Sequence, residues 1–141
     1  MRNFIRLIAA IAVAVTLAHA ARADSSAAAA WQGVITQQLS AFAGDRDAEA
    51  YSYAAPVVQL AFPSVESFMA MVRQGYQPVL RNSGHRFGES GTDATGRPTQ
   101  TVILQGMDGK TYEARYTLEQ QPDGIWKIAG CVIKLLAGTN V

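Results

Sequence analysis

"KTYEARYTLEQQPDGIWKIAGCVIKLL", residues 110–136, decides the fold class. Tyr112, Ala114, Tyr116 and Leu118 alternate with Thr111, Glu113, Arg115 and Thr117. That period of two places one set on each face of a strand. Gln121-Pro122-Asp123-Gly124 supplies turn chemistry, so the run from Trp126 onward returns as an antiparallel neighbour. Upstream, "PTQTVILQG" (98–106) is a third strand, set off by Met107-Asp108-Gly109. "GTDATG" (91–96) is a turn or loop, and "QPVLRNSGHRFGES" (77–90) predicts one or two short strands, with Pro78 suggesting a sheet edge.

The first half of the chain follows the helical period. Trp31, Ile35, Leu39 and Phe42 recur at three- and four-residue steps, predicting an amphipathic helix from Ala30 to Ala43 with Gln32, Gln37 and Gln38 off the apolar line. Gly44 ends it, and Asp45 is placed to cap "RDAEAYSYAA". Pro56 opens the short apolar segment "PVVQLAF", and Pro63 stops it. Ser64 fits the N-cap of "VESFMAMVRQ", which Gly75 terminates. Helices followed by an antiparallel meander make an α+β domain, with the N-terminal helices packed on a curved antiparallel sheet.

The N-terminus carries an address. Arg2 and Arg6 precede an apolar run from Leu7 to about Leu17, followed by Ala21-Arg22-Ala23, an A-x-A cleavage pattern. A cut after Ala20 is the alternative. The run is shorter than the roughly 18 apolar residues of a membrane span. The expected organisation is a signal peptide (1–23), a flexible mature N-terminus (24–30), one α+β domain (31–137) and a C-terminal tail (138–141). The protein is expected to be exported, periplasmic or secreted, with no membrane association after cleavage. Losing Arg2, Arg6 and Arg22 leaves nine basic residues against eleven acidic ones, a net charge of −2 on 118 residues. No basic stripe remains, which argues against nucleic acid as a partner.

The mature chain keeps one cysteine, Cys131, and one histidine, His85. That rules out an internal disulfide and is too sparse for a metal site or a metal cofactor. By period two Lys127 shares a face with Cys131, unless Gly130 marks a bulge that switches it. Packing is the favoured reading of Cys131, ahead of pocket or dimer-interface lining, with a nucleophile last. His85, among glycines and polar residues, reads as a solvated loop or edge-strand residue.

Phe62-Pro63, Glu66, Phe68, Met71-Val72-Arg73, Gly75-Tyr76 and Trp126-Lys127-Ile128-Ala129-Gly130-Cys131 together resemble a proteobacterial family of exported proteins, domain of unknown function 4864. The resemblance covers about residues 31–135. That family looks like a member of the nuclear transport factor 2-like superfamily. What the resemblance implies is a bent sheet wrapping helices into a cone, often with a pocket, and frequently a homodimer across the sheet. The superfamily hosts enzymes and binding modules alike, so no activity follows. Its isomerases and dehydratases typically place an Asp, or an Asp with a His, inside the cone. Here Asp108 and Asp123 sit in turns beside glycine, while Asp47, Glu49 and Glu66 read as N-terminal helix charges and Glu113 with Arg115 as an outward strand face.

The aromatics Tyr53, Phe68, Tyr76, Tyr112, Tyr116 and Trp126, with Cys131, are the candidate pocket lining; core packing is the competing reading for each. No catalytic residue and no cofactor is assigned. The function expected from this poverty of catalytic groups is a module that binds a small apolar ligand, engages a partner protein or dimerises. The alternative is a small cofactor-free isomerase, dehydratase or hydrolase drawing on His85, the tyrosines, Cys131 or Glu66.

Overall fold

The structure, a computed structural model, describes residues 25–137. The expected signal segment and C-terminal tail lie outside the described residues. The chain divides into two units after Ala30, and the described residues from Trp31 onward make up the second. Helix α1 (residues 25–43) is already helical ahead of the expected start at Ala30. No helix among the described residues is long and apolar enough to cross a membrane.

Four more helices follow in the second unit: α2 (Asp47–Ser52), α3 (Pro56–Ala61), α4 (Val65–Gly75) and α5 (Gln77–Leu80). Then come β1 (Asn82–Thr92), β2 (Pro98–Gly106), β3 (Thr111–Gln120) and β4 (Trp126–Leu135), paired antiparallel in the order β1-β2-β3-β4. The α+β reading of an antiparallel meander preceded by helices therefore holds. Gly109 and Gly124 turn the β2–β3 and β3–β4 hairpins with φ of 79° and 85°, a region L side chains rarely adopt.

Two local expectations are corrected. Residues Gln77–Leu80 form a helical turn, not a strand, because Pro78 sits in its first turn, where a missing N–H costs nothing. Asp45 does not cap α2. It adopts φ 53° in the turn that closes α1, a conformation Asp tolerates, and its carboxylate pairs with Arg81 instead. Ser64 caps α4 as its sequence predicts, accepting from Ser67 N at 3.0 Å in a reciprocal capping box.

The core lies between the helices and one face of the sheet. Ile35, Leu39 and Phe42 of α1 and Phe68, Met69 and Val72 of α4 bury against Val102, Leu104, Ala114, Tyr116, Leu118 and Ile128. Phe68 is flanked by Phe42 and Tyr51, with ring centroids 6.2 and 5.2 Å away. A polar hub sits within this layer. Gln100 is fully buried, and its Oε1 accepts from Trp31 Nε1 (3.1 Å), Gln32 Nε2 (3.1 Å) and Ser90 Oγ (2.6 Å). Its Nε2 donates to the Gly88 and Thr101 carbonyls at 3.1 and 3.0 Å. One side chain thus ties α1, β1 and β2 together.

Two exposed turns each hold a carboxylate below its ordinary range. Asp93 is held below the usual carboxylate range, first by the Thr95 hydroxyl and then by backbone N–H groups. Asp108 is held below it, first by the Tyr112 hydroxyl at 2.5 Å and then by Lys110 N. A depressed folded pKa means the stabilisation is present above the unfolded carboxylate pKa and is lost as pH falls through the folded one. A double Asp93→Asn, Asp108→Asn variant should therefore show a flatter fall of Tm on acidification than the parent, by calorimetry across the acid range. Equal slopes would mean the two turns carry no part of the acid limb.

Candidate functional site

A β-bulge decides what the site contains. β3 and β4 pair Leu118 with Ile128 and Gln120 with Trp126, then shift register, so that Thr117 meets Gly130 and Tyr116 meets Cys131. Ala129 is the extra residue. Plain alternation from Ile128 would have sent Gly130 and Val132 inward. The bulge instead turns Cys131 and Ile133 to the core side, and Val132 is left 65% exposed. Lys127, opposite Glu119 before the bulge, therefore faces away from Cys131. No cation beside the thiol comes from that lysine.

The segment between α2 and α3 locks this hairpin. Ala54 bridges to Ile128, with Ala55 N donating to Ile128 O at 2.8 Å and Ile128 N to Tyr53 O at 2.9 Å. Three residues on, Tyr76 Oη donates to Cys131 O at 3.0 Å. The edge of β4 is covered here by backbone and phenol from the helical layer, which leaves less of it open to strand addition.

Between α4, α3 and the bulged hairpin lies a cavity of about 330 Å³. Phe68, Met71 and Val72 of α4, Val58 of α3, and Tyr116 and Cys131 of the sheet are among its walls. It is at the lower end of the size range of small-molecule sites. Tyr116 is 1% exposed, and its Oη has no hydrogen-bond partner among the described residues. Burial raises its pKa well above that of an ordinary phenol, so it stays protonated.

Burial also pushes the Cys131 thiol up to about 12, partly offset by the Tyr116 hydroxyl. A thiolate nucleophile is therefore not available near neutrality. In the folded protein, Cys131 should react with an aromatic disulfide reagent at neutral pH at least about a hundredfold more slowly than in urea. Comparable rates would place the thiol in the open. Because this acid is weaker in the folded state, the associated stability is present at neutral pH and is lost as pH rises through the unfolded thiol range towards 12.

Four of the seven expected lining residues, Phe68, Tyr76, Tyr116 and Cys131, meet at this cavity. Tyr53, Tyr112 and Trp126 are elsewhere. Tyr53 Oη donates to Glu49 (2.9 Å), and Tyr112 Oη donates to Asp108 beside a smaller hollow at the far end of the sheet. Trp126 is partly buried, edge-on to Trp31 at 5.3 Å. Period-two alternation on β3 assigns Tyr112 and Tyr116 the same face, but the cavity occupies only the end of that face near the bulge. His85 is exposed on the edge strand against Phe87, and Glu66 is exposed in the first turn of α4; neither borders the cavity. Glu113, 3.4 Å from Lys134, and exposed Arg115 lie on the outward face, as expected.

Gln38 was missed. It is 4% exposed, borders the cavity, and donates to Ala50 O at 3.1 Å. Its spacing held the signal, since it lies three residues after Ile35 and four before Phe42, on the buried stripe.

Comparison with known proteins agrees with this architecture and adds no activity. No curated protein matches the chain. A protein from Catenulispora acidiphila, solved at 2.5 Å, shares the fold with a TM-score of 0.52 at 14% identity, covering 80% of this chain and 94% of its own. The family model described as Domain of unknown function (DUF4864) matches residues 24–140. With that match spanning nearly all of the helical layer, the meander and the cavity they enclose, the chain belongs to the DUF4864 family.

Proposed function

We propose that the protein is an exported binding module that takes a small apolar molecule into the cavity beside the β3–β4 bulge. The observation that carries this reading is the cavity itself: a half-open hollow of about 330 Å³ lined chiefly by aliphatic and aromatic side chains. Export rests on the basic, apolar and A-x-A pattern of residues 1–23. Membership of the nuclear transport factor 2-like superfamily is part of the same reading, supported by the order of helices and meander and by a cavity between those layers. A homodimer through the outward sheet face, which carries Ile103 and the exposed Val132, is a further part of it. Of the groups the enzymatic alternative would draw on, His85 and Glu66 lie away from the cavity, while Tyr76, Tyr116 and Cys131 border it with their pKa values raised, which favours the binding reading over acid–base or nucleophilic chemistry.

Naphthalene should raise the Tm of the wild-type protein and leave a Val58→Trp variant, with its cavity filled from α3, unchanged. Native mass spectrometry of the protein taken from its host should show a retained small molecule, and the mature chain should begin at Asp24. No shift with naphthalene and no retained mass would overturn the binding reading.

A further inference from the structure

The polar groups on the cavity wall are not equally occupied. Tyr76 spends its proton on Cys131 O at 3.0 Å, and Gln38 spends an amide proton on Ala50 O at 3.1 Å. Tyr116 borders the same cavity and is 1% exposed, and its Oη finds no oxygen acceptor among the described residues. The group opposite it across the hairpin is the Cys131 thiol, a poor acceptor. A buried hydroxyl without a partner is a standing cost in the empty protein, and a bound acceptor removes that cost. Among the described residues the wall carries no lysine, arginine or histidine, so an anion entering it would give up water without a cationic partner, at far greater cost than a neutral polar group. At the ~30 Å³ that a water-sized atom occupies in a liquid, 330 Å³ holds roughly eleven non-hydrogen atoms.

We propose that the ligand is an uncharged molecule of about that size, an apolar body bearing one hydrogen-bond acceptor (a ketone, ester or alcohol oxygen) that takes the proton of Tyr116 Oη. The assignment rests on the binding reading above and adds to it the chemistry that selects among apolar molecules. Burial keeps Tyr116 protonated, so the donor is present at any physiological pH.

Three probes of matched size test it on the intact protein by calorimetric titration: pentylbenzene, benzylacetone and hydrocinnamate. The ketone should bind about tenfold more tightly than the hydrocarbon, and the carboxylate should bind most weakly. Tyr116→Phe should bring the ketone down to the affinity of pentylbenzene, without weakening pentylbenzene itself. Equal affinities of ketone and hydrocarbon on the wild-type protein would overturn the assignment while leaving the binding reading intact, and that comparison needs no variant to fold. A ketone preference that persists in Tyr116→Phe would overturn the role of Tyr116, and tightest binding of the carboxylate would overturn the uncharged class. Binding of none of the three would remove the assignment together with the reading beneath it.

Discussion

Phe68→Ala should destabilise the domain by about 3–5 kcal/mol, measured as a shift in the urea unfolding midpoint at constant slope. Phe68 is 4% exposed and stands between the rings of Phe42 and Tyr51, on the wall of the cavity. Deleting the ring removes its transfer free energy and both aromatic contacts, and the void merges with a cavity already present instead of collapsing. Against a total stability of roughly 5–15 kcal/mol for a domain of this size, that is a large share. Phe68→Leu retains most of the volume and should cost less than about 1.5 kcal/mol. If the alanine variant lost less than about 1 kcal/mol, α4 would not be packed on the sheet as described. The same variant should also take up larger apolar molecules than the parent, which ties the stability of α4 to the capacity of the site.

The second large effect is expected at Gln100. Gln100→Leu has nearly the same size but strands the Gly88 and Thr101 carbonyls and leaves Trp31 Nε1 without its acceptor. With several partners orphaned at once, a loss of about 2–4 kcal/mol follows. Gln100→Glu separates the two halves of the hub. It keeps the acceptor for Trp31, Gln32 and Ser90, but sets an acidic side chain against two carbonyl oxygens, so at neutral pH it should destabilise at least as much as leucine. Trp31 fluorescence in each variant would report whether the helix has left the sheet. A Gln100→Leu protein as stable as its parent would show that the hub is dispensable and that apolar packing alone holds α1.

Much of the fold was legible because its signals are local. The alternation on β3 placed Ala114, Tyr116 and Leu118 inward, and all three are fully or almost fully buried. The Pro-Asp-Gly and Asp-Gly turns set the hairpins, and Ser64 announced the start of α4. Where local signals competed, the reading slipped. Pro78 is compatible with an edge strand and with the first turn of a helix, and only the packing of Val79 and Leu80 into the core chose the helix. Asp45 looks like a cap until Arg81, thirty-six residues away, takes its carboxylate.

The chain's own order of residues determined the α+β class, the division into helices and meander, and the two faces of β3, since periodicity and turn chemistry act within a few residues. Tertiary structure alone decided that an extra residue at Ala129 turns Cys131 inward and that Tyr76 reaches its carbonyl. It also decided that Gln100 reaches Trp31, sixty-nine positions away, and that Tyr116 borders a cavity while its buried hydroxyl finds no oxygen acceptor among the described residues. Each of these depends on which segments meet, and a contact between distant segments leaves no periodic trace in either one.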